Sequence, residues 1–167
     1  MILNNPQIDQ ICRSIVERTG NYDLYAHMVF ETLYNTGLRI NELIDYSRIQ
    51  LVDANTALVQ TQKFSNPRVI QISSINQAYF ENYVNNNLHH FIRSYSYYSS
   101  KIIAYNNEFG NLFVEGKQIT TYIFRHNFVK KLADSGHTVS EISAIIGERA
   151  DKNTFGYIHS QILSIKN

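Results

Sequence analysis

Hydrophobic positions in the first part of the chain repeat at helical spacing. Apolar residues recur three or four positions apart over residues 7–18, which predicts a first helix that stops at Gly20. Asp23 is suited to cap a second helix that ends at Gly37, where a left-handed turn favours glycine. A short third helix is predicted over residues 40–46. The apolar positions of the first helix are Ile8, Ile11, Cys12 and Ile15.

The pattern then changes to short stretches rich in β-forming residues. These stretches cover residues 49–52, 56–62 and 68–73, and turn-forming residues separate them at 53–55 and 65–67. Three short strands joined by tight turns are typical of an antiparallel meander, so we predict a small sheet here.

The second half of the chain returns to helical periodicity. Ser73 or Ser74 is suited to cap a helix over residues 75–86, whereas the pattern over 89–107 leaves helix and ordered loop both open. A further helix is predicted to begin at Thr120 or Thr121 and to run through Ala133. Thr138 is expected to cap another over 139–146, and a tail helix is predicted over 157–165.

Neither a repeat nor a linker divides the chain, which predicts one domain over residues 1–167. Its class is expected to be mainly α with a small antiparallel β-meander (α+β). The length of 167 residues, with 44% hydrophobic residues, suits one core of ordinary size.

Composition limits the compartment and the partners. Cys12 is the one cysteine and cannot form an internal disulfide, which favours a reducing compartment. No apolar run approaches the roughly 20 residues that span a bilayer, and the first ten residues do not resemble a signal peptide, so a soluble, cytoplasmic protein without a membrane partner is expected. The net charge of +1 means that a DNA-binding site would need locally arranged cations.

Several familiar catalytic patterns are absent from the sequence. It contains no glycine-rich phosphate loop, metal-ligand spacing or GxSxG motif. The remaining candidates are three cations and a tyrosine, and each has an ordinary structural interpretation when taken singly. Arg39 can pair with Glu42, Lys63 can be solvated in a turn, and Tyr157 can be half-buried. Arg125 lies on an apolar helix face, where it is expected to need an anion or a carboxylate.

The order and spacing of these residues resemble the catalytic domain of the tyrosine recombinases, the phage integrase and Xer-type family. Residues 36–43, Thr-Gly-Leu-Arg-Ile-Asn-Glu-Leu, resemble its first arginine box and place Arg39 at the catalytic arginine. Lys63 follows Arg39 by 24 residues, where the family has a β-hairpin lysine. Residues 125–128, Arg-His-Asn-Phe, resemble the second arginine box. Residues 154–159, Thr-Phe-Gly-Tyr-Ile-His, resemble the final box and place Tyr157 at the nucleophile.

Two positions depart from the family pattern. Tyr122 stands three residues before Arg125, where the family usually has histidine, and its hydroxyl can still donate a hydrogen bond to phosphate. Glu148 stands where the family has histidine or tryptophan. An ionised carboxylate beside a phosphodiester is repelled by about 1 kcal/mol even in water, so Glu148 is expected to be protonated, turned away or paired. Arg149 and Lys152 are candidate partners, as are the active-site arginines.

The resemblance implies site-specific DNA cleavage and rejoining. Tyr157 would attack the scissile phosphate and form a 3′-phosphotyrosyl intermediate, while Arg39 and Arg125 would stabilise the transition state. Lys63 would protonate the leaving 5′ oxygen. Tyr122 and Glu148 complete the implied site. The phosphodiester energy is retained in the intermediate, so neither a cofactor nor a metal is implied.

The implied partner is double-stranded DNA, with a homotetramer on DNA and possible accessory DNA-bending proteins. Recombinases of this family usually carry an N-terminal DNA-clamping domain, which is expected to be absent from this chain. Three alternatives stay open: a catalytically degenerate DNA-binding relative, a telomere-resolvase-like enzyme, and a helical protein-interaction domain without DNA affinity.

Overall fold

The computed structural model describes residues 3–44, 49–53, 55–60, 67–71, 93–114 and 116–147, and the elements named below lie within them. Its helices are α1 (Asn5–Tyr22), α2 (Leu24–Thr36), α3 (Ile40–Ile44), α4 (Tyr95–Glu108), α5 (Ile123–Asp134) and α6 (Val139–Ile146). Its strands are β1 (Ile49–Leu51), β2 (Thr56–Val59), β3 (Arg68–Gln71), β4 (Phe113–Val114) and β5 (Lys117–Gln118). The described part is mainly helical with small antiparallel sheets, which confirms the predicted α+β class.

The first helix runs past the glycine that was predicted to stop it. α1 continues to Tyr22, and Asp23 then ends it and caps α2 by accepting a hydrogen bond from the backbone N–H of Ala26 at 3.1 Å. The cap at Asp23 is therefore confirmed, and the stop at Gly20 is wrong. A Cβ at Gly20 would lie 3.0 Å from the His27 ring, so this glycine serves the close packing of α1 against α2.

The three predicted strands form the predicted meander. β1 pairs antiparallel with β2, and β2 pairs antiparallel with β3, with Ala57 opposite Leu51 on one side and Ile70 on the other. Alternate residues of this sheet face the core, among them Ala57, Val59 and Ile70. β4 and β5 form a separate two-stranded hairpin that the sequence pattern did not predict, since strands of two residues are too short to show a period.

The described part of the stretch that the sequence left open, 89–107, contains most of α4. Ser94 caps this helix through its hydroxyl, and Tyr98, Ile102 and Tyr105 are buried along it at helical spacing. α5 begins at Ile123 rather than at Thr120 or Thr121, because the Thr120 hydroxyl accepts from the backbone N–H of Tyr122 in a preceding turn. α6 has the predicted bounds. The helices predicted over 75–86 and 157–165 lie outside the described residues.

Helices α1, α2 and α5 surround the main core. The rings of Phe30 on α2 and Phe124 on α5 stack with their centroids 5.4 Å apart, and both side chains are fully buried. At the edge of this core, the Asp9 carboxylate on α1 accepts from the Tyr34 hydroxyl and the Asn127 amide, each at 3.0 Å. These contacts fix the orientation of α5, which carries one of the candidate arginines. No helix in the described ranges is long and apolar enough to cross a membrane.

Candidate active site

A glycine turn between α2 and α3 sets the direction of the first arginine box. Gly37 ends α2 with φ 69°, and its N–H donates to the carbonyl of Leu33 at 3.0 Å. A Cβ at Gly37 would lie 2.3 Å from a ring carbon of Phe128 on α5. Glycine is thus favoured both by the left-handed backbone and by the close approach of α5. Leu38, the next residue, is buried and anchors the turn in the core.

Arg39 directly precedes α3 and lies at the surface end of this turn. The backbone N–H of Arg39 donates to the Glu42 carboxylate at 2.9 Å, which is the half of a capping box made by the third helical residue. The Arg39 guanidinium is further away, with Nη1 3.9 Å from Glu42 Oε1, and its side chain is 21% exposed. The predicted pairing of Arg39 with Glu42 is therefore present, but it is not an ordinary surface salt bridge, since Glu42 is completely buried.

Glu42 forms its closest side-chain contacts with an arginine on the sheet. The Arg68 guanidinium donates to the two carboxylate oxygens of Glu42 at 2.9 and 3.2 Å, and both side chains are buried. Burial acts to raise the pKa of Glu42, but the hydrogen bonds and charge of Arg68 outweigh it. The Arg39 backbone and the charge of Arg125 add to this effect, and the pKa lies below its ordinary value.

Arg125 connects the ends of two helices. Its guanidinium donates from Nη1 to the carbonyl of Gly37 at 2.8 Å and from Nη2 to the carbonyl of Ile146 at 3.0 Å. The expected carboxylate is that of Glu42, whose pKa the charge of Arg125 helps to lower, while these two hydrogen bonds go to backbone carbonyls. The carbonyls at helix C-termini carry partial negative charge and accept these hydrogen bonds, so two helix ends hold the Arg125 guanidinium in place.

Three of the predicted site residues line one cleft. Arg39, Tyr122 and Arg125 border a cavity of about 190 Å³ between the α2–α3 turn, the start of α4 and the start of α5. The Tyr122 side chain is 43% exposed, in contrast to the buried Arg125. Tyr95 and Thr120 also border the cleft, and sequence reasoning did not select them, because neither belongs to a recognised motif.

The local electrostatics of this region favour an anion. Arg39, Arg68 and Arg125 contribute guanidinium groups, and Glu42 contributes the carboxylate that they surround. Two of these cations, Arg39 and Arg125, border the cleft, although the whole chain has a net charge of only +1. Guanidinium groups stay protonated and match the geometry of phosphate oxygens. No three His, Cys, Asp or Glu side chains among the described residues lie close enough together to hold a metal ion.

The other predicted site residues lie outside the part of the chain that the structure describes. They are Lys63, Glu148 and Tyr157, together with the candidate partners Arg149 and Lys152. Some of their described chain neighbours lie beside the residues of the site. β2 and β3 flank the segment that contains Lys63, and Gly147, which directly precedes Glu148, lies against the Arg68 guanidinium.

Comparison with known proteins identifies the family. The phage integrase family matches residues 2–162, nearly the whole chain. The chain belongs to the phage integrase family. No curated protein sequence matches it. This family match confirms the resemblance to the tyrosine recombinases that was predicted from the two arginine boxes and the tyrosine box.

Solved structures show the same fold for this phage integrase family member. XerA recombinase is 17% identical with a TM-score of 0.65, and the match covers 97% of this chain and 58% of that chain. XerH site-specific recombinase, solved bound to difH substrate in a pre-cleavage complex, is 16% identical with a TM-score of 0.64, covering 93% and 49%. Tn1549 transposon integrase, solved with transposon right end DNA, is 17% identical with a TM-score of 0.60, covering 95% and 61%.

These matches confirm the tyrosine recombinase catalytic-domain fold. At this level of identity they show the fold alone. This chain spans only about half to three fifths of the length of each of these proteins.

Proposed function

We propose that this chain is the catalytic domain of a site-specific DNA recombinase or integrase that cleaves and rejoins DNA through a 3′-phosphotyrosyl intermediate. One observation carries the proposal: Arg39, Tyr122 and Arg125, which are distant in the sequence, border the same cleft. Two guanidinium groups beside an exposed phenol suit a phosphodiester better than a neutral ligand.

The arginines would act on the transition state. As the tyrosine attacks, negative charge grows on the non-bridging phosphate oxygens, and fixed guanidinium donors stabilise that charge without reorganising. Arg125 is suited to this role because the carbonyls of Gly37 and Ile146 hold it in position before DNA binds. Tyr122 would donate its hydroxyl hydrogen to a phosphate oxygen, which replaces the donor that histidine supplies elsewhere in the family.

The roles of the residues outside the described ranges rest on the family match and their motifs. The Tyr157 oxygen would form a bond to the scissile phosphorus while the bond from phosphorus to O5′ breaks. The tyrosine proton passes to solvent, and the Lys63 ammonium gives a proton to O5′, so a 5′-hydroxyl leaves. A second 5′-hydroxyl then attacks the phosphotyrosine and restores the DNA backbone. Neither step requires ATP or a metal.

The partner in this proposal is double-stranded DNA. XerH and the Tn1549 integrase were solved with DNA, and this chain shares their fold. A homotetramer that cleaves paired DNA sites, helped by accessory DNA-bending proteins, is the arrangement that the family implies. Integration and recombination by a mobile element are the corresponding biological roles.

A covalent-adduct assay tests this function. The protein would be incubated with nicked DNA from the flanks of its own gene, denatured and separated on a gel, with Tyr157→Phe as the matched control. We expect DNA-linked protein with the wild type and none with Tyr157→Phe, which differs by one oxygen. An adduct that persists in Tyr157→Phe would exclude Tyr157 as the nucleophile.

The same assay separates the alternative functions. Salt-sensitive DNA binding without any adduct would favour a catalytically degenerate DNA-binding relative, and a hairpin product would favour a telomere-resolvase-like enzyme. Absence of both binding and adduct would favour a protein-interaction domain. If Glu148 limits the reaction by repelling phosphate, Glu148→His would raise the yield of adduct.

A further inference from the structure

The buried pair formed by Arg68 and Glu42 is costly for a feature that only stabilises the fold. Both side chains are removed from water, and Arg68 Nε is buried without a hydrogen-bond acceptor among the residues that the structure describes. Burying two charges costs so much desolvation that well-packed apolar residues often stabilise a core equally well. The ion pair lies beside Arg39, so it can affect that residue of the proposed site.

Glu42 lies between two arginines at unequal distances. Its Oε1 accepts from Arg68 Nη2 at 3.2 Å and from the backbone N–H of Arg39 at 2.9 Å, whereas Arg39 Nη1 is 3.9 Å away. That last distance is beyond hydrogen-bonding range. The Glu42 carboxylate therefore makes its closest guanidinium contacts with Arg68, and its ion pair with Arg39 is longer than a hydrogen bond.

We propose that Arg68 is a positioning residue for the DNA cleavage reaction, acting by engaging Glu42 so that the Arg39 guanidinium faces phosphate in the cleft. This inference rests on the proposed function. It also follows from competition, because a carboxylate and a phosphate bind the same fork of guanidinium donors. Without Arg68, the buried Glu42 carboxylate would draw in the guanidinium of Arg39, which directly precedes α3.

Arg68 on β3 also contacts the end of α6. A Cβ at Gly147 would lie 2.4 Å from Arg68 Nη1, so the guanidinium packs directly against the backbone at the end of α6. Arg125 binds the carbonyl of Ile146, one residue earlier. Arg68 thus contacts the site at two places, α3 and the end of α6, while it lies on β3 away from the lining of the cleft.

The test compares variants that separate positioning from stability. Arg68→Met removes the charge and keeps much of the side-chain volume, and Arg68→Lys keeps the charge but loses the fork. Arg68→Met/Glu42→Gln also removes the competing carboxylate, while the amide oxygen introduced by Glu42→Gln can still accept from the backbone N–H of Arg39. Ile70→Ala is the matched control, because it weakens the same strand at a buried position that is not part of the ion pair.

Two measurements are made on each variant well below its melting temperature. One is the rate of adduct formation at saturating nicked DNA. The other is the binding of inorganic phosphate, followed through the Nε–H resonance of Arg39 in ¹⁵N-labelled protein and assigned with Arg39→Lys. We expect Arg68→Met to slow adduct formation and to weaken phosphate binding by about tenfold each. We expect Arg68→Lys to lose less, and the double variant to recover phosphate binding.

The outcomes distinguish this inference from the proposed function. If Arg68→Met and Ile70→Ala lose melting temperature alike and also react alike, Arg68 is only structural and the inference fails. Equal phosphate binding in the wild type and Arg68→Met would overturn it as well. A wild type that forms no adduct would contradict the proposed function, and the phosphate titration would still decide the role of Arg68.

Discussion

Gly37 combines two constraints at one residue. Its backbone is left-handed, with φ 69°, and the Phe128 ring occupies the space where a side chain would begin. At Gly136, in contrast, φ is 93° and a Cβ would meet nothing within 4 Å, so that glycine carries only the first constraint. The two positions therefore separate the cost of backbone strain from the cost of a clash.

We expect Gly37→Ala to destabilise the protein more than Gly136→Ala. A left-handed alanine costs about 1–2 kcal/mol at either position, and overpacking against Phe128 adds about 1–3 kcal/mol at Gly37 alone. Urea unfolding of the two variants and the wild type would measure the difference in the free energy of unfolding. Equal losses would show that the Phe128 ring moves aside without cost.

The sequence identified those site residues that belong to a family motif. It did not identify the residues and backbone groups that contact them. Arg39, Tyr122 and Arg125 were selected from the boxes, and all three border the cleft. The pairing of Glu42 with Arg68 was not foreseen, because the two residues are 26 positions apart and only the folded sheet brings them together. Two partners of Arg125 are the backbone carbonyls of Gly37 and Ile146, and backbone carbonyls have no sequence signature.

At the scale of elements, capping residues and glycines each marked some helix ends correctly and others wrongly. Asp23 and Thr138 begin α2 and α6 as predicted, whereas α1 passes through Gly20 without interruption. A glycine inside a helix costs roughly 1 kcal/mol relative to alanine, which tertiary packing against His27 can offset. A cap, in contrast, satisfies backbone groups that otherwise lack a partner.

The capping box of α6 gives a test at this scale. The Thr138 hydroxyl accepts from the backbone N–H of Glu141, and the Glu141 carboxylate accepts from the backbone N–H of Thr138, each at 3.2 Å. We expect Thr138→Ala to lower the free energy of unfolding by about 1 kcal/mol. Ser140→Ala, at an exposed position inside the same helix, should leave it nearly unchanged. Chemical denaturation of both variants measures this, and a Thr138→Ala protein as stable as the wild type would contradict it.

At the scale of the whole molecule, three carboxylates join separate elements. Asp9 contacts α2 and α5, Asp23 lies between α1 and α2 and pairs with Lys101 on α4, and Glu42 pairs with Arg68 on β3. Burial acts to raise the pKa of each carboxyl, but their hydrogen bonds and cationic partners outweigh it, so each pKa lies below its ordinary value. Protonation of these groups therefore weakens the connections between elements.

The pH dependence follows from the direction of these shifts. A carboxyl with a lowered pKa binds a proton more readily in the unfolded chain, so the stability it contributes is complete well above its unfolded pKa. With ordinary values of 3.8 for Asp and 4.5 for Glu, we expect melting temperature to be steady above about pH 6 and to fall with acidification. Glu42→Gln should reduce the slope of that fall. An unchanged slope would mean that Glu42 does not couple folding to protonation.

DNA affinity is also a property of the whole surface. The net charge of +1 provides no general attraction to phosphate, so the cations at the cleft should dominate the salt dependence. We expect Arg39→Ala to weaken DNA binding and to reduce the slope of log affinity against log salt by about 1. Anisotropy titrations at several salt concentrations measure this slope.

Arg13→Ala is the control, because Arg13 is an exposed cation on α1 paired with Asp9. A slope unchanged by Arg39→Ala would remove Arg39 from the phosphate contacts.

The two carbonyls that bind Arg125 have a consequence for synthesis of the protein. Gly37 precedes Arg125 by 88 residues and Ile146 follows it by 21, so the guanidinium cannot take up its full set of contacts until both segments have been made. A nascent chain that has just passed the second arginine box already contains both boxes but has no assembled cleft. The cleft therefore cannot assemble before the last described helix has been made, and the proposed nucleophile Tyr157 follows that helix in the sequence. We expect chains that end before Tyr157 to leave DNA intact.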